Sequence, residues 1–209
     1  QLIDHGFARV DVWGRGVDTE RFNPRKRDQA LHDSWTPHGE VVVGYMGRLA
    51  AEKQVTDLSV LADLPGTRMV IIGDGPMREE LEARLPNAVF VGMKTGDDLP
   101  QYLASLDLFV HPGELETFGQ AIQEAQASGL ATIAPRRGGP IDLIEPSHNG
   151  WLYSPGDLAD LRHRVAGGAD VLLLVAIEAH HPEGLHLQLH PAEVEIALGF
   201  LLQPAVLDE

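Results

Sequence analysis

The chain has 209 residues, of which 44% are hydrophobic, and this composition suits one globular domain with a substantial core and excludes a disordered chain. Its 31 acidic and 16 basic residues give a net charge of -15, which excludes a broad face for nucleic acid or anionic lipid. The absence of cysteine excludes disulfides and thiolate metal sites and fits a reducing cytoplasm.

Short apolar segments alternate with segments of helical pattern along most of the chain. Buried strands are predicted at 41–46, 68–72, 88–91, 106–110 and 130–134, with a shorter strand at 150–153. Helices are predicted between them, at 52–64, 77–85, 97–105, 118–128 and 140–144. This alternation predicts an α/β fold, a Rossmann-like doubly wound parallel sheet that binds its ligands at the carboxyl ends of the strands. No signal peptide or membrane-spanning run is apparent, so we expect a soluble, cytoplasmic protein.

The loop at 111–116 and the helix after it form the most informative segment of the chain. Thr117 and Gln120 fit a capping box, which predicts that the helix begins at Thr117 and leaves the amides of Phe118 and Gly119 pointing outward. Such a helix start suits an anionic ligand such as a diphosphate.

Two carboxylates bracket this helix start. Glu116 precedes the helix and Glu124 lies about two turns inside it, so both are expected to flank the anion site without neutralising it. Their expected role is to accept hydrogen bonds from hydroxyl groups. An alternative for Glu124 is a solvated position on an exposed helix face.

A basic pair follows the first predicted strand. Arg48 offers a planar fork of donors and Lys53 a compact point charge, so together they can hold a diphosphate and stabilise a departing nucleotide. The alternative is that both are ordinary surface cations.

Four motifs follow one another along the chain. They are the segments 14–24, 47–53 and 73–76, and the Glu-x7-Glu pair at 116 and 124 within 109–124. In this order they resemble the carboxyl-terminal half of a retaining glycosyltransferase of the GT-B type, group 1 or family 4. The similarity is strongest to bacterial GDP-mannose-dependent α-mannosyltransferases that act on lipid acceptors. The resemblance covers roughly residues 10–165.

The resemblance implies a role for each candidate residue. Arg48 and Lys53 would hold the diphosphate, Glu116 would contact the transferred sugar, and Glu124 would bind the ribose hydroxyls. The backbone of Phe118 and Gly119 would lie close to sugar and phosphate. Arg48, Lys53 and Glu116 would form the catalytic set, acting on a GDP-mannose donor without a metal ion or another cofactor. The partners implied are this donor and a lipid or glycan acceptor, with a peripheral position at the inner face of the plasma membrane in the full-length enzyme.

The sequence leaves the roles of Met93 and of two turns open. Met93 follows a strand where the family forms its base pocket, but we favour packing over a base contact because methionine commonly fills gaps. The segment 73–76 is predicted to be a turn between a strand and a helix. The basic turn 136–139 either helps to line the donor site or is simply solvated.

The chain also departs from the family. We expect the chain to lack the family's amino-terminal Rossmann domain, which would carry acceptor recognition. Residues 1–165 are then expected to be the nucleotide-sugar-binding domain, with 1–25 as an entry segment. Residues 166–209 form a tail that does not match the family, and its histidines at 180, 181, 186 and 190 are expected to be surface or packing residues. Alternatives to a transferase half are a non-enzymatic or non-functional nucleotide-binding fragment and, ranked lower, half of a nucleotide-sugar epimerase.

Overall fold

The structure is a computed structural model that describes residues 5–6, 16–146 and 148–180, with side-chain environments up to residue 169. Its centre is a six-stranded parallel sheet in the order β3-β2-β1-β4-β5-β6. The strands are β1 (Val41–Met46), β2 (Thr67–Ile72), β3 (Val89–Gly92), β4 (Leu108–Val110), β5 (Ala131–Pro135) and β6 (Gly150–Tyr153). The predicted Rossmann-like parallel sheet is therefore confirmed.

Helices connect the strands. They are α1 (Gln29–Trp35), α2 (Arg78–Arg84), α3 (Asp98–Ala104), α4 (Gln120–Ala127), α5 (Pro140–Leu143) and α6 (Leu158–His180). Two of them, α1 and α6, were not predicted. The expected domain boundary at residue 165 falls inside α6, and His181, His186 and His190 lie outside the described residues.

The predicted helix at 52–64 is wrong. Two short 3-10 helices, Ala51–Lys53 and Val55–Leu61, stand there instead. Gln54 separates them in the left-handed conformation with φ 51°, which a residue with a side chain rarely adopts and which breaks the helical path. The residues of this segment favour a helix, so its composition did not indicate the interruption at Gln54.

Both faces of the sheet are covered because alternate residues of each strand enter different cores. On β1, Val43 and Tyr45 join the layer that also holds the 3-10 helix Val55–Leu61 and part of α6. Val42 and Met46 join the opposite layer, where they pack with residues of α3 and α4. All six residues of β1 are buried, as a strand at the centre of a doubly covered sheet requires.

The chain order reverses between β1 and β4, which are neighbours in the sheet although β2 and β3 lie between them in sequence. In open parallel sheets, the loops that leave such a pair of strands diverge and open a crevice at the carboxyl edge. The loop after β1 carries Arg48 and Lys53, and the loop after β4 carries Glu116. The sheet thus brings the predicted site segments to one edge.

At the amino-terminal edge of the sheet, the Asp107 side chain binds residues of the segment before β1. Its carboxylate accepts hydrogen bonds from the amide of Val42 at 2.8 Å, from Arg27 Nη2 at 2.8 Å and from His32 Nε2 at 2.9 Å. Burial would raise the pKa of Asp107, but the hydrogen bonds from His32, Val42 and Arg27 lower it. The hydrogen bond to Asp107 raises the pKa of His32 against the opposing effect of burial.

The ion pair between His32 and Asp107 should make the stability of the domain depend on pH. Because the folded-state pKa of His32 is raised above 6.5, its charged pair with Asp107 contributes fully below that value, and the contribution is lost as pH rises through the folded-state pKa. His32→Asn should therefore reduce the free energy of unfolding more at pH 5.5 than at pH 8.5, measured by urea titration. His38→Asn, at an exposed position, is the control. An equal loss at both pH values would contradict the assignment.

Candidate functional site

Backbone hydrogen bonds join the loops that follow β1 and β2, and the loop that follows β3 borders the same cleft. The amide of Leu49 donates to the carbonyl of Asp74, and the amide of Met77 donates to the carbonyl of Leu49, each at 2.9 Å. A Cβ atom added to Gly73 would overlap the carbonyl oxygen of Gly47. Glycine at 73 is therefore required for this close approach, and the predicted turn at 73–76 also positions the neighbouring loop.

These loops border a cleft of ≈ 660 Å³, a volume within the range of small-molecule sites. Met93 lies on the cleft with 66% of its surface exposed, so the prediction that it serves mainly as a packing residue is wrong. Its role as a base contact remains a prediction. The lining residues are Met46, Gly47, Arg48, Ile72, Gly73, Asp74, Gly75, Pro76, Met93, Lys94 and Leu99.

The start of α4 differs from the sequence prediction. The helix begins at Gln120 with Gly119 as its N-cap residue at φ 61°, so the capping box of Thr117 and Gln120 is wrong. Glu116 Oε1 instead accepts hydrogen bonds from the amides of Thr117 at 3.1 Å, Phe118 at 3.3 Å and Gly119 at 3.0 Å. The amides of Phe118 and Gly119 therefore do not point outward unpaired.

Glu116 also binds Lys53. Its Oε2 atom lies 2.9 Å from Lys53 Nζ, with the Glu116 side chain only 17% exposed. Burial alone would raise the pKa of Glu116, but the hydrogen bonds from Lys53 and Gly119 and the charge of Lys53 lower it. The carboxylate is thus charged and occupies the anion site, which corrects the expectation that it flanks the site without neutralising it.

Arg48 and Lys53 do not act as one clamp in this structure. Lys53 faces Glu116, whereas Arg48 lines the cleft, is 67% exposed and pairs with Glu52 at 3.3 Å. Arg48 is therefore free to reorient at low cost, because an exposed ion pair adds little stability.

Glu124 is half-buried on α4 and accepts a hydrogen bond from Gln120 Nε2 at 3.2 Å. Burial raises the pKa of Glu124, against the Gln120 hydrogen bond and the charge of Arg21, which lower it. Glu124 does not lie on an exposed helix face, so the alternative of a solvated position there is wrong. Phe118, by contrast, is 44% exposed, so its side chain is open to a ligand or partner.

His111 was overlooked as a site residue. It follows β4 directly, its side chain is 4% exposed, and its Nε2 atom lies 3.6 Å from Glu116 Oε2. Neither ring nitrogen has a hydrogen-bond partner. Burial lowers the pKa of His111 to about 4, so the ring is neutral at pH 7. A histidine at a strand end, next to a candidate site loop, was the available signal.

Supporting residues were also missed. The Tyr45 hydroxyl donates to the carbonyl of Arg48 at 3.1 Å, and the Tyr153 hydroxyl donates to the carbonyl of Pro112 at 3.2 Å. Gln54 Oε1 accepts from the amide of Glu114 at 2.7 Å. These contacts tie the loops after β1 and β4 to the core and to each other.

The basic turn at 136–139 packs against the loop that carries Glu116. Arg137 pairs with Glu114 at 2.8 Å, and the amide of Gly139 donates to the carbonyl of Glu116 at 2.8 Å. The turn thus supports the site loop. Whether it also contacts a donor stays a prediction.

Within 5–6, 16–146 and 148–180, no helix combines the length and apolar character needed to cross a membrane. In the same part of the chain, no group of three or more histidine and acidic side chains is placed to hold a metal ion.

The strand order and the loops at the carboxyl edge define a Rossmann-like α/β domain whose candidate site lies at the crevice between β1 and β4. The chain belongs to the family described as glycosyl transferases group 1, whose match spans residues 27–167. It is 49% identical over 174 residues to a GDP-mannose-dependent alpha-mannosyltransferase of Corynebacterium glutamicum, covering 83% of this chain and 41% of the relative. It is 42% identical to sulfoquinovosyl transferase SQD2 of Arabidopsis thaliana, covering 73% of this chain and 31% of that protein.

The fold agrees with this assignment. The lipopolysaccharide outer core galactosyltransferase WaaB, in its apo form, superimposes with a TM-score of 0.66 at 22% identity, over 85% of this chain and 54% of that one. At this identity the likeness establishes the GT-B type of fold and nothing finer. The chain spans about two fifths of the length of the curated mannosyltransferase it matches, 41%.

Proposed function

We propose that this domain binds GDP-mannose and forms the donor half of a retaining α-mannosyltransferase that acts on a lipid or glycan hydroxyl. The observation that carries the proposal is the convergence of Lys53 Nζ and the amides of Thr117, Phe118 and Gly119 on one carboxylate at the β1–β4 crevice. Four donors arranged around one anion form a site that a phosphate group can share or take over. The sugar is chosen because the C. glutamicum relative is named for GDP-mannose, although the family includes SQD2.

The proposed chemistry follows from these donors. When the bond between the anomeric carbon and the phosphate oxygen breaks, negative charge grows on the diphosphate, and Lys53, Arg48 and the start of α4 stabilise it. Glu116 and Glu124 orient the donor by accepting hydrogen bonds from sugar and ribose hydroxyls. The acceptor hydroxyl attacks on the same face, and the leaving phosphate takes its proton. The remaining length of the relatives is proposed to supply the acceptor site, and the enzyme is proposed to work in the cytoplasm, peripheral to the membrane.

Nucleotide binding without a metal ion is the direct test. Because the diphosphate charge is met by protein donors, GDP should bind this chain equally well with magnesium and with excess chelator, measured by isothermal titration calorimetry. UDP is the comparison for base preference. A strict requirement for a divalent cation would count against the proposal.

Glu116→Gln should shift affinity from the nucleotide sugar toward the free nucleotide. The substitution removes the charge that competes for the anion site, but it also weakens the proposed sugar contact, so the ratio of GDP-mannose to GDP affinity should fall by about three- to tenfold. Glu124→Gln should weaken both ligands. If Glu116→Gln left the ratio of GDP-mannose to GDP affinity unchanged in the same titration series, Glu116 would not be a sugar contact.

A further inference from the structure

The anion site at the start of α4 is filled by the protein itself. Glu116 Oε1 accepts from three amides, and Oε2 accepts from Lys53 Nζ. A diphosphate that takes over these donors therefore displaces the carboxylate. The displaced group is a half-buried charge, which is costly unless it finds another donor.

His111 is a buried hydrogen-bond donor beside the Glu116 carboxylate. The imidazole side chain is 4% exposed, and its Nε2 atom stands 3.6 Å from Glu116 Oε2, slightly beyond hydrogen-bonding distance. Both ring nitrogens lack partners, an arrangement that normally costs stability and calls for a compensating role. Shortening the distance between Nε2 and Oε2 by about 0.4 Å brings it within the range of an N–H···O hydrogen bond.

Two features of the loop after β4 hold the His111 ring in this position. A Cβ atom on Gly113 would lie 3.2 Å from His111 Nε2, so the absence of a side chain there leaves room for the imidazole. The amide of His111 donates to the carbonyl of Ile133 at 2.8 Å, which ties its backbone to the middle of β5. Both features hold the ring beside Glu116.

We propose that His111 is a positioning residue that receives the Glu116 carboxylate from Lys53 and the amides of residues 117–119 when a diphosphate occupies these donors. This inference rests on the proposed function, since the diphosphate is that of the nucleotide sugar. The neutral ring donates Nε2–H to Glu116 Oε2, which keeps the carboxylate charged and aimed toward the bound sugar. Lys53 is then released to pair with the diphosphate.

A double-mutant cycle of His111 and Glu116 tests whether the Glu116 carboxylate pairs with His111 when a diphosphate binds. In the full chain, His111→Met removes the donor at similar size, whereas His111→Gln keeps an N–H group close to the Nε2 position. Calorimetry with inorganic diphosphate and with GDP should show about a five- to tenfold loss of affinity for His111→Met and less than about a twofold loss for His111→Gln. In a Glu116→Gln background, His111→Met should change affinity less than about twofold.

Equal losses in both backgrounds would overturn the inference, because His111 would then act without Glu116. Nitrogen NMR of the wild-type His111 ring adds a measurement that needs no His111 variant. Diphosphate should shift the protonated ring nitrogen in the wild-type chain and not in Glu116→Gln, and no shift in either would overturn it. His38→Gln, at an exposed position, is the control for unspecific effects.

The outcomes separate the inference from the proposed function. If diphosphate binds with the expected coupling but GDP binds no better, the inference stands and the nucleotide-sugar function fails. If GDP binds well and the coupling is absent, the function stands and the inference fails. If neither ligand binds the wild-type chain, both fail.

Discussion

Lys53→Met should lower the affinity for GDP and for GDP-mannose alike, by about ten- to hundredfold. Lys53 is 35% exposed and already holds one anion, Glu116, at 2.9 Å, so its ammonium group lies where a diphosphate is expected. Without it, the charge of Glu116 would also repel the ligand. Titration calorimetry of both ligands measures the loss directly.

Two comparisons make this result interpretable. Arg48→Met should cost less than Lys53→Met, because Arg48 is 67% exposed and solvent screens its charge. Lys26→Met removes an exposed charge outside the cleft and should leave both affinities unchanged. If Lys53→Met weakened GDP-mannose while sparing GDP, Lys53 would be a sugar contact and not a diphosphate ligand.

Gly73→Ala should destabilise the domain by about 2 to 5 kcal/mol and reduce GDP affinity more than tenfold. The added Cβ would overlap the carbonyl oxygen of Gly47, and residue 73 has φ 142°, which disfavours a side chain. Relief requires the loops after β1 and β2 to separate, which displaces Arg48 from the cleft. Urea unfolding and GDP titration measure the two effects.

Gly66→Ala is the matched control. Gly66 also has a positive φ, 69°, but a Cβ atom there meets nothing within 4 Å. It should cost only about 1 to 2 kcal/mol, and it should leave nucleotide binding intact in the folded fraction. Similar losses for both variants would show that backbone strain, and not the contact between loops, sets the cost at Gly73.

The sequence predicted the strands well because a buried parallel strand is a local pattern. The segment 41–46 is apolar without interruption, and β1 occupies the same residues with all six buried. Helix starts were harder to predict, because a cap depends on which polar atom reaches the first amides. Thr117 had the right composition for a cap, yet the helix begins only at Gln120 without a side-chain cap, and the amides of residues 117–119 before it bind Glu116.

By itself, the sequence determined the family, the alternation of strands and helices, and the candidate residues Arg48, Lys53, Glu116 and Glu124. Only the tertiary structure decided how they are used. Lys53 meets Glu116 across 63 positions of sequence, and His111 lies beside the same carboxylate, because the sheet places β4 next to β1. Periodicity and composition are properties of neighbouring residues. Contacts between distant loops depend on strand order and packing, which no local pattern contains.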